Sequence, residues 1–137
     1  MDKYLFFAKF TVAEEGGYCI SFPELEGCFS ECDTIEEGMK NAKEVLELFL
    51  WGLEEDEEDV PNLMKPEDIE LEKGEFLIPI SVYMPIVREE MNNKTVNKNL
   101  TLPYWLNKEA MKHKINFSQI LQEGLKEVLG ITEKKRV

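Results

Sequence analysis

Long apolar runs are missing from this chain: no stretch approaches the roughly 20 residues that a helix needs to cross a bilayer, so no span of that kind is expected. Histidine is reduced to one residue, His113, and the sequence places no nucleophile or carboxylate beside it for acid-base work. Near a helix C-terminus such a side chain is expected to help cap carbonyls. Cysteine is also scarce. Cys19, Cys28 and Cys32 cannot all pair and show no C-x-x-C spacing, which argues against a disulfide framework and a zinc site. Cys28 and Cys32 fall in an expected strand, where four residues span about 13 Å, too far to chelate one ion locally. The start, Met1-Asp2-Lys3, has neither the basic flank nor the small-residue cleavage site of a signal peptide, so a cytoplasmic protein is expected. Neither a cofactor nor a metal is implied.

What is abundant is negative charge, and it is unevenly spread. Residues 1–93 hold 24 acidic and 7 basic side chains, a net of −17, whereas residues 94–137 hold 4 acidic and 9 basic, a net of +5. An asymmetry of that size points to partners of opposite sign, or to an acidic body with a nucleic-acid-binding tail. At 43% hydrophobic residues the chain is not expected to be disordered. Its 137 residues suit one modest core, or a domain of about 90 residues plus an appendage that needs a second copy to fold.

The pattern along the chain favours the second arrangement. Tyr4, Phe6, Ala8, Phe10 and Val12 alternate on one face of an expected strand, and Glu15-Gly16-Gly17 supplies a tight turn. Tyr18, Ile20 and Phe22 mark a second strand, which Pro23 to Gly27 breaks, and Cys28 to Cys32 a third. Thr34-Ile35-Glu36-Glu37 is a capping-box sequence that opens a helix, with Ile35, Met39, Ala42, Leu46, Phe49 and Leu53 as its apolar stripe. The run Glu54 to Asp59 opposes the macrodipole at the helix C-terminus and is expected to fray. One turn of helix is expected from Pro66, then a strand from Phe76 to Ile86. The order β-β-β-α-β predicts an α+β domain over residues 1–88, with a polar linker over 89–94.

Residues 95–137 read as a different unit. Asn97 to Leu102 alternates as a strand, Pro103 ends it and opens a helix from Tyr104 to His113, and Asn116 caps a second helix that stops at Gly130. One strand and two helices cannot close a core, because the strand's ladder groups have no partner within the unit. Pairing with the same strand of a second chain solves this. The stretch "NLTLPYWL" followed by "INFSQILQEGLKEVLG" resembles the ribbon-helix-helix family, whose two-stranded ribbon enters the major groove. The resemblance implies that Leu100 and Leu102 point into a dimer core while Asn97, Asn99 and Thr101 face base edges. It implies a phosphate held by the amides of Asn116, Phe117 and Ser118, and sequence-blind attraction from Lys94, Lys98 and Lys114. Lys98 departs from the pattern, since its register is an inward one that the family fills with an apolar side chain. A helical oligomerisation tail that binds no nucleic acid fits the same spacing.

The first unit carries a second resemblance. Tyr18, Phe22-Pro23-Glu24-Leu25, Gly27-Cys28, Asp33-Thr34, Glu36-Glu37 and Asn41-Ala42 are similar to the motif of the HicB antitoxin family. That likeness implies a degraded ribonuclease-H-like domain that binds and occludes a small, basic, RNA-cleaving toxin of the HicA kind, and a homodimer that represses its own operon by binding operator DNA. Whether dimers pair into tetramers stays open. A −17 domain would attract a basic partner quickly. Glu54, Glu55, Asp56, Glu57, Glu58 and Asp59 are the toxin-binding candidates, although a solvated charge run reads the same way. Other functions remain open: a stand-alone regulator whose first domain senses a small ligand, or a metal-dependent nuclease. Nuclease chemistry of the ribonuclease-H kind needs converging carboxylates. The first strand offers none between Tyr4 and Thr11, which leaves Glu36, Glu44 and Glu47 nothing to complete, so no catalysis is expected.

Overall fold

The computed structural model describes residues 1–132; the expected C-terminal domain runs on to 137, and its residues 133–137 lie outside the described residues. Two compact units, Met1–Thr95 and Val96–Val137, divide the chain. The fold is α+β, with a four-stranded antiparallel sheet and four α-helices among the described residues.

In the first unit, β1 (Lys3–Val12), β2 (Tyr18–Ser21), β3 (Phe29–Cys32) and β4 (Glu75–Tyr83) form a sheet in the order β3-β2-β1-β4. Alternation decides its faces. Phe6, Ala8 and Phe10 of β1, Ile20 of β2, and Ile80 and Val82 of β4 are all buried on one side. The register stacks Phe6 on Ile80 and Phe10 between Ile20 and Phe76. Helix α1 (Ile35–Glu55) covers this side with Ala42, Leu46 and Leu50, and Phe22, Leu25 and Cys28 fill the core from the segment between β2 and β3.

Helix α1 begins where the capping box puts it, with the Thr34 hydroxyl accepting from the Glu37 N–H at 3.2 Å. Its buried stripe is turned relative to the expected one. Ile35 and Met39 stay exposed, while Gly38, Ala42, Leu46 and Leu50 face the sheet. The reason is Gly38, which lets the helix approach Phe10 and Cys32 too closely for any side chain; a hydrophobic count passes over glycine. The C-terminus does not fray either. Glu57 takes a left-handed φ of 55°, and the Glu58 N–H donates to the Leu53 carbonyl at 2.9 Å, a Schellman closure that outweighs the repulsion of the acidic run.

Two boundaries differ from expectation. Strand β4 stops at Tyr83 instead of Ile86, because Pro85 has no N–H to donate and its fixed φ suits a helix's first turn. Helix α2 (Met84–Asn93) starts there instead, occupies most of the expected linker over 89–94 and buries Met84 and Val87. Cys28 precedes β3 instead of opening it. The helical turn from Pro66 is a 3-10 turn, Pro66–Asp68.

The second unit contains α3 (Tyr104–Lys112) and α4 (Phe117–Leu129). Asn116 caps α4 by accepting from the Gln119 N–H at 3.1 Å, and Gly130, at a φ of 70°, ends it. Residues 97–102, expected as a strand, form none in the single chain: a ladder needs a neighbour, and no described segment supplies one. Not one described residue of this unit is buried. No helix among the described residues is long and apolar enough to cross a membrane.

The close approach at Gly38 is testable. A Cβ there would stand 2.5 Å from Phe10 Cε2 and 2.7 Å from Cys32 Sγ. In an open helix, alanine for glycine gains about 1 kcal/mol, but overpacking a closed core costs about 1–3 kcal/mol. Gly38→Ala is therefore expected to lower stability by about 1–2 kcal/mol in urea denaturation. A variant as stable as the parent would mean that α1 does not seat on Phe10 and Cys32 in this way.

Candidate functional site

Arg88, on α2, organises one end of the first unit. Its Nε and Nη2 donate to the two carboxylate oxygens of Glu54 at 2.9 and 2.7 Å, its Nη1 donates to Asp2 Oδ1 at 2.8 Å, and Nη2 also donates to the Met1 carbonyl at 3.0 Å. The last turn of α1, the start of β1 and α2 are thereby joined through one planar guanidinium. Hydrogen bonding from Arg88 holds the Glu54 carboxyl below the usual carboxylate range, with burial opposing it. The same guanidinium lowers Asp2, and the two carboxylates raise Arg88 in return.

Of the acidic candidates, Glu54 is thus half-buried and engaged, while Glu55, Asp56, Glu57, Glu58 and Asp59 are exposed. Glu58 and Asp59 form one rim of a groove whose other side is the start of β1, with Tyr4, Leu5 and Phe6 along it. Composition alone did not single out Arg88, but a signal was available: it is the one arginine before Arg136. Glu24 is a second residue missed. Its Oε1 accepts from the Met64 N–H at 2.9 Å and ties the segment after α1 to the turn after β2.

The residues weighed for other chemistry are dispersed. Cys28 is buried, donates weakly to the Val45 carbonyl, and is pushed up to about 12 by burial, so it is a poor nucleophile. Cys32 is buried and raised by the same cause, whereas Cys19 is exposed. Glu36 and Glu44 are exposed on α1, and burial raises Glu47. Among the described residues no three His, Cys, Asp or Glu side chains are grouped to hold a metal ion. Trp51 packs against the core, Trp105 is exposed, and His113 is the C-cap residue of α3.

In the second unit, Lys98, Leu100 and Leu102 line one groove together with Phe117, Ile120 and Leu121. Residues of even number in the segment 97–102 thus face the helix pair. Asn97, Asn99 and Thr101 are exposed and line no part of that groove. Ser118 also borders the groove, and Asn116, Phe117 and Lys114 surround the break between α3 and α4. Lys94 is the C-cap of α2, in the first unit. The exposed apolar surface is large for so short a segment, with Tyr104, Trp105, Val128 and Leu129 all more than 60% exposed.

Comparison with known proteins adds a family, a relative and two solved structures. The family described as "HicB_like antitoxin of bacterial toxin-antitoxin system" matches residues 7–122. An uncharacterised 14.9 kDa protein of Haemophilus phage HP1 is 32% identical over 87 residues, which are 64% of this chain and span 65% of the length of that relative. Among solved structures, a chain of a toxin-antitoxin complex from Streptococcus pneumoniae aligns with a TM-score of 0.60 at 20% identity, covering 91% of this chain and 98% of that one. The Burkholderia pseudomallei antitoxin HicB aligns with a TM-score of 0.53 at 19% identity, covering 92% and 98%. At those identities the structural likeness is one of fold.

The Arg88 cluster predicts a pH dependence. Both carboxyls are depressed in the folded chain, so their contribution is fully present above the ordinary carboxylate range and is lost as pH falls through their folded values. Arg88→Gln is expected to lower the melting temperature at pH 7. The gap between variant and parent should then begin to close as pH falls below 4.5, the ordinary glutamate value, and narrow further as the depressed carboxyls protonate. A gap that persists unchanged at pH 3 would show that Arg88 acts by packing and not by pairing.

Proposed function

The chain belongs to the HicB-like antitoxins of bacterial toxin-antitoxin systems, and from that premise we propose that it neutralises a small basic RNA-cleaving toxin with its first unit and binds operator DNA with its second. The observation that carries the proposal is the contrast between the units. Met1–Thr95 has a closed core under an acidic surface, while Val96 onward is basic and presents two helices, α4 capped at both ends, without one buried residue among those described.

Short helices that lack a core acquire one by association. In this reading, residues 97–102 of two copies pair into a ribbon, which supplies the ladder partner that the single chain lacks. Leu100 and Leu102 already share a groove with Phe117, Ile120 and Leu121, so pairing extends that apolar surface across the dimer. Asn97, Asn99 and Thr101 then face outward, where a carboxamide can bond adenine at N6 and N7 and a threonine methyl can meet that of thymine. Since Asn116 bonds the Gln119 N–H, the amides of Phe117 and Ser118 remain as helix-terminal donors for a phosphate. Lys94, Lys98 and Lys114 add salt-dependent attraction, with Lys98 reaching out past its inward register.

We read the first unit as a ribonuclease-H-like scaffold without catalysis, on the order β3-β2-β1-β4 and the single helix crossing one face. It acts by occlusion. Its negative surface steers a basic partner and competes with RNA phosphate, and the exposed Glu55 to Asp59 are the carboxylates placed to meet that partner. Glu54 contributes through Arg88 to the shape of this end and not to contact.

The test is co-purification of this chain with the product of the adjacent gene, followed by RNA cleavage by that product with and without this chain. Suppression at a fixed stoichiometry is expected; cleavage that continues unchanged would rule out the antitoxin reading for that pair. For the DNA arm, Asn99→Ala with Thr101→Ala is expected to weaken binding to the operator upstream of the gene pair by about tenfold or more, with dimerisation intact. Unchanged operator affinity would remove the ribbon from the interface.

A further inference from the structure

β1 is hydrogen-bonded to β4 along nearly its whole length but to β2 only over Lys9–Val12. Its remaining residues therefore have a neighbour on one side alone. In an antiparallel ladder the N–H and C=O of one residue point to the same neighbour, and those of the next residue to the other. The Met84 N–H donates to the Asp2 carbonyl at 2.7 Å, which sets the even residues of β1 toward β4. Pro79 agrees with this parity. It stands opposite Phe7, at a position whose N–H would face away from β1, so its missing donor costs the ladder nothing.

The odd residues consequently face the β2 side. Lys9 and Thr11 meet Ser21 and Cys19 there. Continuing the same register sets Phe7 opposite Pro23, which has no N–H, and β2 ends at Ser21. Beyond that point the N–H and C=O of Lys3, Leu5 and Phe7 point away from β4, and no described backbone or side-chain group bonds them. Lys3 to Phe6, up to the residue before Phe7, line a groove of about 760 Å³ whose other wall is the segment from Glu58 to Leu63. An unpaired strand edge is a template for another strand. Lys3 to Phe7 presents about 13 Å of it.

We propose that this open edge of β1 receives an extended segment of the basic partner, which adds as a strand between β1 and the 58–63 segment. Backbone bonds to Lys3, Leu5 and Phe7 supply the attachment. Glu58 and Asp59 on the rim pair with basic side chains of the incoming strand, and Leu5 and the Val60–Leu63 wall cover its apolar ones. The occupant is basic by charge complementarity with the unit: the groove, which has the exposed Glu58 and Asp59 on its rim and Lys3 in its lining, lies within a unit that carries 24 acidic against 7 basic side chains over residues 1–93. This rests on the antitoxin reading and adds to it the place and mode of contact.

Amide hydrogen exchange on the full chain, alone and with the adjacent gene's product bound, tests it. Tyr4, Phe6 and Ala8 are expected to exchange slowly in both states. Lys3, Leu5 and Phe7 are expected to exchange fast in the free chain and about 100-fold more slowly in the complex. Glu58→Lys with Asp59→Lys, both exposed, is expected to slow association about tenfold without changing the exchange of Tyr4, Phe6 and Ala8. A complex that forms and suppresses cleavage while Lys3, Leu5 and Phe7 stay fast would overturn strand addition and leave the antitoxin reading standing. Protection of those amides that grows with protein concentration in the absence of partner would assign the edge to a second copy, and overturn it too. No complex at all would sink both readings.

Discussion

Both the core and the proposed docking edge depend on how β1 divides its backbone and side chains between neighbours. Its even residues send Phe6, Ala8 and Phe10 under α1 and their amides toward β4, which is what closes the core. Its odd residues send amides the other way, where β2 is too short to meet them all. The shortness is chemical in origin. Pro23 cannot donate, and the chain on either side of it turns inward to bury Phe22, Leu25 and Cys28. The motif residues Phe22-Pro23-Glu24-Leu25 therefore do several things at once. They end β2, fill the core beside β1, and through Glu24 hold Met64 so that the segment after α1 stands off from the edge.

Where the local signal is strong, sequence and structure agree. The alternation of β1, the capping residues Thr34 and Asn116, and the terminal Gly130 are each set by interactions within a few residues, so pattern alone locates them. The disagreements arise where a tertiary neighbour decides. Gly38 carries no hydrophobic signal, yet the fit of Phe10 and Cys32 around it rotates α1 and leaves Ile35 and Met39 in solvent. Residues 89–94 look like a linker by polarity. In place, Met84 and Val87 anchor most of them as a helix that ends at Asn93, and Arg88, just before them, finds its acids 34 and 86 residues away. Residues 97–102 alternate like a strand but have no described segment to pair with, so they form none.

The acidic run after α1 shows how charge and geometry share one segment. Six consecutive carboxylates at a helix C-terminus are unfavourable with the macrodipole. The first, Glu54, is offset by a guanidinium that holds both its oxygens, and beyond the left-handed Glu57 the rest are exposed, with Glu58 and Asp59 beside the groove. Arg88 thus converts a repulsive helix end into a fixed corner that carries exposed carboxylates. The stability of that corner and the field it presents are set by different residues. Loss of Arg88 would loosen the geometry, whereas loss of Glu58 or Asp59 would change the field and leave the fold.

The second unit poses the opposite problem, since its local structure is well specified and its burial is not. Asn116 and Gly130 define α4 at both ends, yet Phe117, Ile120, Leu125 and Leu129 remain exposed along it. At about 25 cal/mol per Å² of apolar area removed from water, covering such a stripe is the main favourable term available to this segment. If that cover is a second copy, folding of this unit and association are one equilibrium, and its order depends on protein concentration. The exposed Asn97, Asn99 and Thr101 would then acquire a fixed spacing only once two chains have met. Under the proposed function, DNA recognition would in that way be conditional on assembly.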